Sequence, residues 1–266
     1  MPRLKSISFE PQDFSSYLLT AILILLVSYF SKEKFLFNKK TTFFFLLINF
    51  IALFLTFSTG GYISAVLLII IFFLLSPFFG INTFIDKKRK YFFVFLSVFC
   101  AFIILIMGFK YISPVFSKIL KTNSSESSFS ERLLYWEAAI KMIKDYPLLG
   151  VGPGSFAYFY PHYGKEIPNK SVSLNDILPQ NLFLGMMAEV GIIGGGILLL
   201  IFFYLFFEFF RVAKTKDLFI KTCSFSLFLV LFDLFLQNMA FWVPYSFFLW
   251  FFIGICSVFV FRISKQ

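Results

Sequence analysis

Arg132, Gln180, Asn181 and Glu189 are the residues most capable of chemistry in this chain, because each is polar and each borders or enters apolar sequence. The Arg132 guanidinium is a planar fork of donors that matches phosphate or carboxylate oxygens in bidentate fashion. Glu189 is an acid inside an apolar run. If that helix starts near Pro179, the carboxylate lies about 15 Å along it, where an unpaired charge costs about 2.5–3.5 kcal/mol. It must therefore pair with a cation, protonate or face a polar cavity, and Arg132 is a candidate partner. Gln180 and Asn181 offer amide donors and acceptors. Asp233 and Gln237, four apart, suggest a second polar face, or simply lie near a helix end.

His162 is the only histidine, which rules out a histidine-based metal cluster. A lone loop histidine is either solvated or an imidazole placed to take a proton. The turn "GVGPG", with Gly150, Gly152 and Gly154, allows backbone N–H groups to approach an anion, but neither a preceding strand nor an immediate helix signal makes it a nucleotide loop. No Walker-type glycine loop with lysine is present, so no cofactor and no metal are expected. Cys100, Cys223 and Cys256 each sit inside an apolar run without CxxC spacing and read as small buried thiols.

These residues are set in a very apolar chain: 59% hydrophobic residues, 14% charged and a mean hydropathy of +0.85. That composition lies outside the range of soluble domains. About seven apolar runs reach span length: 15–31, 41–57, 60–79, 91–109, 181–207, 217–237 and 241–261. The expected fold is all-α, a polytopic integral membrane helical bundle with one large external loop. Residues 1–109 form four N-terminal spans, 110–180 the loop, and 181–266 three C-terminal spans.

The net charge of +10 follows the membrane rather than nucleic acid. Lys and Arg follow the first, third and fifth runs and end the chain, and the positive-inside bias puts those segments and the C-terminus in the cytoplasm. The 110–180 loop is then external. Pro and two acids precede the first run and no small-residue cleavage site follows it, so that run is expected to be retained.

Within the loop, Ser128-Phe129-Ser130-Glu131 has capping-box spacing, and Asp145-Tyr146-Pro147 is a stop, predicting an amphipathic helix over about 129–145. On a helical wheel Leu133, Trp136, Ile140 and Ile143 form an apolar stripe, opposed by Glu137, Lys141, Lys144 and Asp145. Arg132 lies about 50° from the stripe centre. It either snorkels at the interface or serves a function there. Gly191, Gly194, Gly195 and Gly196 are expected to form a small-residue face for close helix packing.

Arg132-x3-Trp136, "DYPLLGVGPGSF" and "QNLFLGMMAEVGIIGGG" together resemble the signature region of the O-antigen ligase and Wzy-type polymerase superfamily. "TFSTGGYIS" and "SISFEPQDFSSYLL" resemble two further family segments. The resemblance implies a metal-independent membrane glycosyltransferase. Such an enzyme moves saccharide from an undecaprenyl-pyrophosphate carrier to a glycan or lipid acceptor, at the external face of the inner membrane.

On that likeness Arg132, aided by Lys141 or the Gly150, Gly152 and Gly154 turn, would stabilise the departing pyrophosphate. Trp136, Thr59, Gln180 and Asn181 would contact substrate. The chain departs from the family where Thr59 replaces an arginine and Gln180 replaces a histidine that acts as general base, leaving His162, Glu166, Asp176 or Glu189 for the proton. Family chains have further spans before "FEPQDFSSYLL", so an N-terminal truncation is expected. The alternatives are a transporter or flippase of a lipid-linked or anionic solute, and a catalytically diverged fragment.

Overall fold

The computed structural model describes residues 11–31, 37–81, 128–165, 177–239 and 247–263. The 91–109 run, Glu166 and Asp176 lie outside them. Among the described residues the structure is helical, with no strand. The helices are α1 (Pro11–Phe30), α2 (Lys39–Leu55), α3 (Thr59–Leu75), α4 (Ser128–Asp145), α5 (Phe156–Tyr163), α6 (Leu182–Val212), α7 (Leu218–Asn238) and α8 (Phe247–Ile263). By length and composition α6 and α7 can each cross a bilayer; α1, α3 and α8 contain shorter apolar stretches.

The chain divides into two compact units. The first gathers α1, α2 and α3 with the end of α6 from Tyr204, α7 to Gln237, and α8 from Phe248. Its core is aliphatic where α1 meets α2 and α3, through Leu19, Ile22, Leu46, Leu53 and Ala65. Elsewhere it is aromatic: Phe79 stacks on Phe225 at 4.7 Å between ring centres, and Phe225 lies 5.5 Å from Phe72. Two pairs of polar groups in this unit meet. Ser31 and Thr222 hydroxyls are 3.2 Å apart, and Gln237 Nε2 donates to Asp233 Oδ1 at 2.9 Å.

The junction of α2 and α3 is a tight hinge. Phe57 sits at φ 49°, in the left-handed region, which turns the chain without glycine. Ser58 then caps α3, its Oγ accepting from the Gly61 N–H at 3.2 Å, as an N-cap hydroxyl does for an otherwise orphaned helix donor. Ser15 of α1 closes on this corner, its Oγ 3.4 Å from Ser58 Oγ. A Cβ at Gly61 would come within 2.6 Å of Ser15 Oγ, so glycine lets α1 and α3 approach.

The second unit holds α4, α5 and α6 to Phe203, with Asn238 and Met239. Its core joins Tyr135, Ala138, Ala139 and Met142 of α4 to Phe156 and Tyr160 of α5 and Ala188 of α6. Tyr135 meets Tyr160 edge-on at 5.3 Å. The stripe read from the wheel lies beside this core rather than in it: Leu133 and Ile140 are exposed, and Trp136 and Ile143 are half-buried. Ala138 and Ala139 are fully buried in this core, while the larger aliphatic flank lies outward. α4 is therefore apolar on two flanks, and Arg132 stands between them.

Candidate functional site

In the second unit the centre is a break in α6. Gly191 has φ 75° and ψ 176°, far from helical values, and only glycine adopts such a backbone without strain. Four residues of ladder are disturbed, since a helical N–H normally reaches the carbonyl four residues back. The released groups find partners in the 146–154 turn. Val151 N–H donates to Ala188 O at 2.9 Å, and Gly152 N–H donates to Glu189 O at 2.8 Å. In return Ile192 N–H donates to Pro147 O at 2.8 Å. A Cβ at Gly191 would overlap the Leu148 carbonyl, and one at Gly150 would overlap the Glu189 backbone. The turn is seated in the break by backbone contact on both sides.

Glu189 completes the joint. Its residue is 4% exposed, and its carboxylate accepts from Gly154 N–H at 2.8 Å and from Phe156 N–H at 3.1 Å. Phe156 opens α5, whose Ser155 N-cap makes no side-chain hydrogen bond. The carboxylate thus caps α5 from another helix, meeting both its free donors and the positive end of its dipole. The glycine turn does receive an anion, and that anion is the protein's own. The sequence reading anticipated neither the helix directly after the turn nor this use of Glu189. Gly191 was expected to serve helix packing; here its bare backbone admits the loop. At Gly194 and Gly195 an added Cβ would meet Val190 and Met187, and at Gly196 nothing lies within 4 Å.

The remaining expected site residues fall into two groups. Some are engaged structurally. Asn181 caps α6, accepting from Leu184 N–H at 3.0 Å, while its Nδ2 donates to Met239 O at 2.8 Å. Lys141 pairs with Glu137 at 3.2 Å and donates to Tyr163 O at 3.3 Å. Lys165 reaches the same Glu137 at 3.0 Å, and these bonds hold the Glu137 carboxyl below the usual carboxylate range. Tyr163 donates to Asp145 Oδ2 at 2.8 Å; that bond above all, then burial, pushes its hydroxyl up to about 12. These contacts fasten α5 to α4.

The others are placed as follows. Arg132 is half-buried on the first turns of α4. One turn on, Trp136 has a buried indole N–H without a hydrogen-bond partner among the described residues. His162 is exposed in the last turn of α5, edge-on to Tyr163. Gln180 is half-buried and held at φ 51°, a left-handed conformation that costs a non-glycine residue about 1–3 kcal/mol. Thr59 is the first residue of α3, in the first unit. The described residues contain no group of three or more His, Cys, Asp or Glu able to hold a metal. A groove of about 360 Å³ in the first unit, lined by Ile71, Leu74, Phe206 and Phe232 among others, is apolar throughout and suits hydrocarbon rather than reaction chemistry.

No curated protein matches the chain. Residues 44–201, more than half its length, match the family described as O-antigen ligase (Wzy_C). The match spans the α2–α3 hinge, the Arg132 helix, the glycine turn and the broken α6. Members are membrane proteins of glycosyltransferase type, in keeping with an apolar helical chain. The chain belongs to the O-antigen ligase family.

Proposed function

We propose that the protein transfers saccharide from a polyprenyl-pyrophosphate carrier, undecaprenyl in kind, to a glycan or lipid hydroxyl at the external face of the cell membrane. The observation that carries this reading is that Arg132 and Trp136, one turn apart on α4, are both half-buried, the Trp136 indole N–H having no hydrogen-bond partner among the described residues. Positions four apart share a helix face. Arg132 places a guanidinium suited to phosphate oxygens on a rigid element, with Trp136 beside it.

In the reaction the acceptor oxygen bonds to the anomeric carbon as the bond to the pyrophosphate oxygen breaks, and the acceptor proton leaves to a base. Charge grows on the departing diphosphate, so a guanidinium aimed there binds the transition state more strongly than the ground state. Gln180 cannot take a proton; its amide, with the backbone held at positive φ, supports acceptor binding instead. His162 is the exposed imidazole of the unit and is our assignment for the base. Glu189, Asn181 and Lys141 serve the site by building it, since their polar atoms are engaged within the fold.

The test is surface-glycan assembly in cells that depend on this chain. Arg132→Ala should abolish product, and Arg132→Lys should restore little, because a point charge lacks the bidentate fork. Normal glycan yield and chain length from Arg132→Ala would overturn the assignment. Choosing between ligation and polymerisation is a separate measurement: single additions against a ladder of repeat lengths.

A further inference from the structure

The break in α6 divides it unequally. Ile192–Val212, at about 1.5 Å per residue, is about 31 Å long, which by itself matches the roughly 30 Å hydrocarbon thickness. The preceding turns, Leu182–Val190, are surplus to a span. Glu189 was expected deep in the bilayer on the premise of an unbroken helix; the break removes that premise and puts the carboxylate at the end of the spanning portion.

The turn that fills the break carries Leu148 and Leu149 at its tip, 65% and 77% exposed. Both backbones touch Gly191, the Leu148 carbonyl directly. Immediately after Gly191, Ile192 and Ile193 are half-exposed, and Ile197 and Leu200 continue the same exposed face down the helix; at about 100° per residue these positions fall within one broad sector. Leu148 and Leu149 therefore extend an apolar surface that already belongs to the span. The residues that flank them, Pro147, Val151 and Gly152, are hydrogen-bonded to α6, which lowers the penalty that keeps irregular chain out of lipid, and at the headgroup boundary water remains within reach of the tip's own backbone groups.

We propose that the Leu148–Leu149 tip is a membrane anchor, inserted among the acyl chains at the headgroup boundary and continuous with the lipid-facing side of Ile192–Leu200. The occupant of this surface is the bilayer itself. The anchor fixes the level of the α4–α5 platform relative to the membrane surface, because the turn is locked to α6 on one side and, through Phe156, to α5 on the other. In the proposed reaction that level decides whether Arg132 meets a diphosphate standing at the headgroup layer. The inference does not require the reaction to be glycosyl transfer, nor one particular side of the membrane.

The experiment uses the full chain in phosphatidylcholine and phosphatidylglycerol vesicles, with Cys100, Cys223 and Cys256 changed to alanine. A nitroxide is attached at Leu149→Cys and, in separate samples, at Leu148→Cys and at Lys144→Cys on the polar flank of α4. Accessibility is read to oxygen, which concentrates in lipid, and to a neutral nickel chelate, which stays in water. At 149 and 148 the oxygen-to-nickel ratio should exceed that at 144 several-fold. A ratio at 148 and 149 equal to that at 144 would overturn the proposal. Shielding from both reagents would also overturn it, since it would mean that protein covers the tip. The readout is independent of glycan assembly, so its failure and the failure of the Arg132 test are distinguishable.

Discussion

The α2–α3 hinge and the α6 break solve the same problem in different ways. Each interrupts apolar helical sequence, each uses one residue at positive φ, and each must satisfy backbone groups that water does not reach. The hinge does so locally: Thr56 Oγ1 donates to Leu53 O at 2.7 Å and accepts from Ser58 N–H at 3.3 Å, and Ser58 caps α3, with Ser15 of α1 donating to its hydroxyl. The break is satisfied by a distant turn: Val151 and Gly152 N–H donate to the Ala188 and Glu189 carbonyls, and Ile192 N–H donates to Pro147 O, while the Glu189 carboxylate ties in Gly154 and Phe156, 35 and 33 residues away. A locally satisfied hinge shapes the chain whatever surrounds it. A break satisfied from a distance couples three elements, α6, the turn and α5, so that none keeps its geometry without the others.

If that distinction holds, the largest effect comes from Gly191→Ala. The new Cβ meets the Leu148 carbonyl, and the φ of 75° penalises any side chain. We expect a loss of about 3 kcal/mol or more, read as a large fall in Tm in detergent and as protease cleavage between α4 and α5. Gly196→Ala is the matched control, with nothing within 4 Å of the added methyl. It should be neutral or slightly stabilising, by about 0.5–1 kcal/mol. Equal effects at the two glycines would remove the case for a docked turn.

Glu189→Gln comes next. The amide can turn only its oxygen to one of the two backbone donors, leaving the other facing an N–H₂ group. An unsatisfied buried donor costs about 1–3 kcal/mol. Hydrogen exchange should rise at the Gly154 and Phe156 amides, and glycan assembly should fall with them, as expected of a positioning residue. A variant with unchanged exchange but lost activity would instead make Glu189 a reacting group. Ser58→Ala in the hinge should be milder, about 1 kcal/mol for a lost N-cap, and should leave protection of the α4–α5 pair unaltered.

The contrast also explains what the sequence disclosed. Apolar run length located α6 and α7 to within about five residues at each end, and the last run covers most of α8, its start at 241 lying outside the described residues; Asp145-Tyr146-Pro147 bounded the end of α4. Local signals of this kind arise from the residues that display them. Gly191 carried no such signal: in "GIIGGG" it looks like its neighbours, and what sets it apart is a carbonyl contributed by Leu148. The short α5 was hidden by Pro161 within it and by Gly-Pro-Gly before it, both of which read as turn. On α4, hydrophobicity favoured Leu133 and Ile140, whereas burial followed the alanines that α5 approaches. The pairing of Arg132 with Trp136 was legible because four-residue spacing is itself local.

The smallest effect tests the comparison through pH. Lys165, foremost, and Lys141 hold the Glu137 carboxyl below its usual value of 4.5, and the three together tie the end of α5 to α4. A carboxylate with a lowered pKa in the folded state contributes stability that is present above the unfolded value and is lost as pH falls through the folded one. The tie should therefore loosen on acidification below about 4.5. Because these side chains are solvated, the change should be modest and weaker in salt. It should appear as faster exchange, beyond the intrinsic pH dependence, at the Gly164 amide that bonds to Tyr160 O at 2.6 Å. Glu137→Gln should abolish that extra acceleration. The Gly61 amide of the hinge, surrounded by hydroxyls and glycine, should show none in either protein. Equal acid sensitivity at Gly164 and Gly61 would mean that both joints answer to the bundle as a whole, and the distinction between a local hinge and a distant clasp would fail.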